Sequence, residues 1–203
     1  MNAATASPVA SVPELPPRAP RTNHPIARRL ARLALRLCGW RVVGEWANEP
    51  RMVLLAAPHS SGWDAVWGLL AKVAMGVRIQ FMAKKELFWW PLGPLLRSFG
   101  ALPTDRSAAH GVVGQMVDEL KRHEQLWCLL APEGTRRLVK KWKTGFWHIA
   151  RAADVPVQCA WFHYPDKTIG LGAVFRMTDD LRADMERVRE FYRPFQGKYH
   201  GLE

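Results

Sequence analysis

Long apolar runs are missing from this 203-residue chain. A membrane-spanning helix needs roughly 18 or more uncharged apolar residues, and the longest candidates, residues 65–77 and 87–96, are interrupted or too short. No span is expected. Cysteine is scarce as well: Cys38, Cys128 and Cys159 form no CxxC pair and leave one thiol over in any disulfide scheme. That fits a reducing compartment and side chains that simply fill apolar space. HExxH and GxSxG are both absent; Ser98 in Leu96-Arg97-Ser98-Phe99-Gly100 lacks the leading glycine of a nucleophile elbow. Cys128 sits inside Trp127-Cys128-Leu129-Leu130, where burial should raise its pKa and shield it. His24, His110, His123, His148, His163 and His200 are scattered, so no metal site is expected. Acidic residues are also in deficit, 18 against 29 Lys and Arg, which gives a formal charge of +11. Such a chain attracts polyanions of any kind, whether nucleic acid, anionic lipid headgroups or phosphorylated substrates.

What is present narrows this. Ten tryptophans tilt the partner towards lipid, because Trp is favoured where an apolar boundary meets water. An apolar fraction of 48% and a charged fraction of 23% are those of a folded globular protein, and the length suits one domain. Residues 1–25 hold six prolines and no continuous apolar stretch; they read as a flexible Pro-rich tail without the apolar core of a signal peptide. The folded domain is expected over residues 26–203.

Ile26, Leu30, Leu33 and Leu37 recur at helical spacing while Arg28, Arg29, Arg32 and Arg36 take other faces, which predicts a basic amphipathic helix over residues 25–38. Its apolar stripe suits either a membrane surface or the protein's own core. Beyond it, short apolar runs near residues 41–46, 52–57, 78–83, 126–131 and 157–162 alternate with helical stretches, followed by a hairpin-like pair around 161–175 and a last helix over about 180–192. Runs such as Val53-Leu54-Leu55-Ala56-Ala57 are apolar on both faces, as strands between two helical layers require. The expectation is a single α/β domain with a central, mainly parallel sheet flanked by helices.

Three polar stretches carry the chemistry. Pro58-His59-Ser60-Ser61-Gly62-Trp63-Asp64 follows a buried strand directly, at the strand end where open α/β sheets keep their ligand sites. If Ser60 or Ser61 caps the next helix, a carboxylate one turn in can reach back to the imidazole. A neutral imidazole can then take a proton from an alcohol near neutral pH, with Asp64 fixing its tautomer. By spacing alone the two are equally a loop histidine and a surface carboxylate. Pro132-Glu133-Gly134-Thr135-Arg136 follows a second buried strand whose end should lie beside the first. Gly134 allows close backbone approach, Thr135 adds a hydroxyl, and Arg136 with Lys140, Lys141 and Lys143 supplies charge suited to phosphate; the alternative is a basic solvent-exposed turn. Gly100-Ala101-Leu102-Pro103-Thr104-Asp105-Arg106 ends a short strand, with Arg106 placed to grip a phosphate or to form a surface ion pair. His163 and Asp166 are the rival dyad. The apolar segment 81–96, with Phe88, Trp89 and Trp90, reads as an acyl channel, a membrane-facing surface or plain core.

In their order and spacing these stretches resemble the glycerolipid acyltransferase family that includes lysophosphatidate acyltransferases (PlsC-like). His59 to Asp64 is similar to its first block, a His, four variable residues and an Asp; Gly100 to Arg106 and Pro132 to Arg136 look like its second and third, and Val155-Pro156-Val157 like its fourth. The resemblance covers about residues 39–175. It departs at Pro58, where many members have Asn, and at Ala131, where many have Phe. The resemblance implies an O-acyltransferase with His59 as general base and Asp64 as its orienting partner. Arg106, Glu133, Gly134, Thr135, Arg136 and Lys143 would hold the acceptor's phosphate. The donor it implies is acyl-CoA or acyl-carrier protein, the acceptor a lysophospholipid, 1-acylglycerol-3-phosphate first, and no cofactor or metal is needed. The enzyme would act in phospholipid biosynthesis, in the cytoplasm on the inner face of the cell membrane, with an anionic membrane surface as partner and no nucleic acid. The alternatives are the same chemistry on another lysophospholipid or an amino-acid-containing lipid, and a non-catalytic basic module that binds anionic membrane or nucleic acid.

Overall fold

Alternation of side chains along one strand sets the layering. In β2 (Arg51–Ala57), Val53, Leu55 and Ala57 point into one apolar core and Met52 and Leu54 into another, as the two-residue period of a strand dictates. The computed structural model describes residues 12–104 and 111–202. Around β2 it orders α1 (Pro25–Leu37), β1 (Arg41–Gly44), α2 (Trp63–Met75), β3 (Ile79–Lys84), α3 (Leu92–Ser98), β4 (Ala101–Thr104), α4 (Gly111–Arg122), β5 (Leu126–Leu130), α5 (Gly145–Ala152), β6 (Val157–His163), β7 (Thr168–Phe175) and α6 (Leu181–Tyr192), with a 3₁₀ turn at Lys85–Leu87.

The strands form one seven-stranded sheet in the order β1-β7-β6-β2-β5-β3-β4. Every described pairing is parallel except the β6–β7 hairpin. The expected mainly parallel α/β sheet is what the chain forms. The first core joins Leu120 of α4, Phe146 of α5 and Val188 of α6 to one face of the sheet. The second joins Leu35 of α1 and Ala71 and Met75 of α2 to the other.

Two details bear on function. Residues 12–24, read from sequence as part of a tail, lie against the second core: Ala19 is buried, Val12 and Leu15 pack beside it, and Thr22 N–H and Pro20 C=O bond to Gly76 and Arg78. The few apolar residues among the prolines suffice to dock them. In α1, Ala31 and Leu35 face the core, and Arg32 Nε donates to Ala74 C=O at 3.0 Å. Ile26, Leu30, Leu33 and Leu37 therefore point outward and remain exposed. Among the described residues no helix is long and apolar enough to cross a membrane.

Candidate active site

β2 and β5 are parallel neighbours, with Leu55 opposite Leu130, so the segments leaving their carboxyl ends emerge side by side. The first carries His59 and Asp64. The N-cap of α2 is Gly62, without a side-chain cap, rather than either serine; Ser61 Oγ accepts from Trp63 N–H at 3.2 Å in the turn before it, and Asp64, in the helix's first turn, comes back towards His59. Asp64 Oδ2 lies 3.1 Å from His59 Nδ1 and accepts the amides of Ser60 and Ser61, each at 2.9 Å. The carboxylate is 1% exposed and the imidazole 30%. With Nδ1 facing an acceptor, the neutral ring carries its proton there and leaves the Nε2 lone pair free.

The other carboxylate oxygen has a partner the sequence reading missed. Tyr164, in the turn of the β6–β7 hairpin, donates its hydroxyl to Asp64 Oδ1 at 2.6 Å. Burial alone would push the Asp64 carboxyl upward. The hydrogen bonds from His59, Tyr164 and Ser61, with the His59 charge, outweigh it and hold the group below its ordinary 3.8. Burial, followed by the Asp64 carboxylate, keeps the Tyr164 hydroxyl protonated far above its usual range. The rival pair does not form: His163 Nδ1 accepts from Gln196 N–H at 3.0 Å, while Asp166 pairs with Arg41 at 3.4 Å. Burial pushes the Cys128 and Cys159 thiols up to about 12, which leaves neither a ready nucleophile.

From the second segment, Glu133 turns inward. Its Oε1 accepts from His59 N–H at 2.9 Å, and Oε2 is buried without a partner; burial raises the pKa of this carboxyl above its ordinary value. Glu133 thus braces the histidine loop and stands apart from the exposed cationic residues expected to share a phosphate with it. Gly134, Thr135, Arg136 and Lys143 are exposed beside it. Arg136 lies over the His59 loop, its Nη1 only 3.1 Å from where a Cβ on Gly62 would stand, and the Lys143 stem covers Gly134, whose φ is +63°. A side chain at position 134 would need both a left-handed backbone and the space Lys143 fills. Arg106 lies outside the described residues.

Behind His59 and Asp64 a cavity of about 350 Å³ runs between α2 and the sheet, walled by residues such as Gly68, Phe81, Leu129, Ala160 and Phe162. Lys72 is its one described cation; burial lowers its pKa to about 8, and Nζ donates to Phe99 C=O at 2.5 Å. The segment expected as an acyl channel or membrane face divides. Phe81 walls the cavity, whereas Trp89 and Trp90 are exposed, Trp90 by 82%.

A mainly parallel sheet with a histidine on a buried carboxylate beside a largely apolar cavity is the arrangement of an α/β enzyme site. The chain belongs to the acyltransferase family: the family's model, Acyltransferase, matches residues 40–163, more than half of the chain. It is similar to a 1-acyl-sn-glycerol-3-phosphate acyltransferase of Streptococcus pneumoniae (strain ATCC BAA-255 / R6), 31% identical over 96 residues that span 44% of this chain and 33% of that protein. Its fold is similar to the crystal structure of PlsC, the 1-acyl-sn-glycerophosphate (LPA) acyltransferase from Thermotoga maritima. The TM-score is 0.55 and the identity 17%, over 80% of this chain and 74% of that one.

Proposed function

We propose that this acyltransferase moves a fatty acyl group from an acyl thioester, carried by CoA or acyl-carrier protein, to the free hydroxyl of a lysophospholipid, 1-acylglycerol-3-phosphate first, in phospholipid biosynthesis. The observation that carries this reading is the His59–Asp64 contact of 3.1 Å on the wall of a cavity that is apolar apart from these two residues and Lys72. The exposed cation Arg136 borders the same loop, Lys143 covers the adjoining Gly134, and both suit the acceptor's phosphate.

In this mechanism the acyl chain lies in the cavity with its thioester at His59. Nε2 takes the hydroxyl proton as the acceptor oxygen bonds to the thioester carbonyl carbon, and a tetrahedral intermediate forms. The C–S bond then breaks, and the imidazolium returns its proton to the departing thiolate. Asp64 holds the ring and offsets the charge that develops on it, and no acyl-enzyme is needed.

Ile26, Leu30, Leu33 and Leu37 of α1 are exposed, as are Trp63 and Val66 at the start of α2 and Trp89 and Trp90 before α3. With Arg29 and Arg36 exposed on α1, this arrangement supports a peripheral docking face for an anionic membrane, the inner face of the cell membrane in our reading. It would bring lipid substrates to the mouth beside Trp63. The test is to incubate the protein with acyl-CoA or acyl-carrier protein and a panel of lysophospholipids, identifying products by mass. Diacyl product with matching thiol release supports the reading; a folded protein that acylates no lysolipid sinks it.

A further inference from the structure

The segment after α6 is fastened to three separate pieces of the site. Phe195 stacks on Trp161 of β6, with ring centroids 4.2 Å apart. Gln196 brackets the β6–β7 turn: its N–H donates to His163 Nδ1 at 3.0 Å and its C=O accepts from Tyr164 N–H at 2.9 Å. Residues 197–200 then fold back, with Gly197 N–H donating to His200 C=O at 3.1 Å. From this turn Tyr199 N–H donates to Ser60 Oγ at 3.3 Å, and His200 Nε2 lies 3.2 Å from Arg136 C=O. Lys198 sits 5.3 Å from the Trp63 ring at the start of α2.

The three pieces are the His59 loop, the turn that supplies Tyr164, and the segment that carries Arg136. They leave three different strands, and residues 196–201 touch all of them. We infer that residues 196–201 are a positioning clasp for the acyl-transfer site: by holding Ser60, Tyr164 and Arg136 in one frame, they set the place of His59 against Asp64. The clasp touches no reacting atom and acts through its neighbours. Ser60 is the residue next to His59, and its amide is one of the donors to Asp64; Tyr164 is another.

Gly197 shows how closely the turn is fitted. A Cβ there would stand 2.4 Å from Ser60 Oγ, 2.8 Å from His200 C=O and 3.0 Å from Ser60 Cβ, so even alanine forces the turn and the Ser60 side chain to shift against each other. Misplacing a catalytic group by about 1 Å can cost on the order of 10²-fold in rate, so the displacement should register in turnover.

This inference rests on the proposed function, and its test includes a readout that does not. The variants are Gly197→Ala, Ser60→Ala and the double variant, assayed for acyl transfer at saturating substrate. Gly197→Ala should lower kcat by roughly 10–100-fold with little change in KM for the acyl thioester. In the Ser60→Ala background, where the hydroxyl is gone while the His200 carbonyl and the β-carbon of residue 60 remain, the same change should cost less. His200→Ala, which leaves the backbone of the turn in place, should lower kcat more mildly. In parallel, ¹⁵N-histidine spectra should show His59 as a single Nδ1–H tautomer in the wild type and as a mixture in Gly197→Ala. Independent, multiplying effects of the two single substitutions overturn the clasp, as does an unchanged kcat and tautomer in both Gly197→Ala and His200→Ala. A wild type that transfers no acyl group contradicts the proposed function instead, and the tautomer spectra then decide the clasp alone.

Discussion

Tyr164 and Asp64, 100 positions apart in the chain, meet through a 2.6 Å hydrogen bond that occupies the one carboxylate oxygen His59 leaves open. The carboxylate is buried, so removing this donor strands an acceptor without water. Tyr164→Phe should lower stability by about 1–3 kcal/mol and reduce kcat while leaving KM for the thioester nearly unchanged. Urea unfolding and steady-state kinetics on the same preparation measure both. A variant as stable and as active as the wild type would remove Tyr164 from the account.

Two buried carboxyls give opposite pH signatures. Asp64 is held below 3.8 in the folded state, so its ionised form is favoured by folding. The stability it contributes is complete above about pH 4 and is lost as pH falls through its folded pKa. Glu133 is raised above 4.5 by burial; its contribution is complete below 4.5 and is lost as pH rises through its folded value. Glu133→Gln keeps an oxygen for the His59 amide and removes the buried charge. Denaturant titrations should therefore show the wild type losing ground to this variant as pH rises towards neutrality. A constant difference between the two would contradict the assignment.

Gly68 lies on the cavity wall of α2, with a Cβ position 3.4 Å from the Phe162 ring. Gly68→Leu would push four carbons into a space of about 350 Å³. Turnover of long-chain thioesters should fall by about 10-fold or more while short chains are spared, because overpacking a filled apolar site costs about 1–3 kcal/mol. Competition between long and short acyl donors reads this directly, and an equal loss for both would show that the chain lies elsewhere.

Leu33 and Trp90 are exposed on α1 and before α3, where a lipid surface would cover them. Leu33→Glu and Trp90→Glu should each weaken co-sedimentation with vesicles rich in anionic lipid, and added salt should weaken the wild type further. Binding that ignores both substitutions would place the contact on another face.

Sequence carried much of this architecture for a physical reason. β2 and β5 are apolar on both faces, which only a strand between two helical layers can satisfy. The strand-turn-helix around His59 also announced itself, because a carboxylate one turn into a helix has few other ways to reach back. Tyr164 did not, since its approach depends on the register of a hairpin formed 100 positions later. Glu133 was grouped with its cationic neighbours by adjacency, whereas the fold turns it inward to the His59 amide. His163 and Asp166 looked like a dyad by spacing, but each finds a partner elsewhere, in Gln196 and Arg41. The outward face of α1 was equally illegible: the stripe is plain in the sequence, but which side meets the core depends on Ala31, Leu35 and the bond from Arg32 to Ala74.

The central claim is that His59 Nε2 removes the acceptor's proton. The most direct measurement is single-turnover acyl transfer to 1-acylglycerol-3-phosphate by the wild type and by His59→Ala, with folding of both checked by circular dichroism. The account predicts a loss of about 10²–10⁴-fold in the variant, with thioester binding retained. A folded His59→Ala protein that transfers acyl groups at the wild-type rate would contradict it.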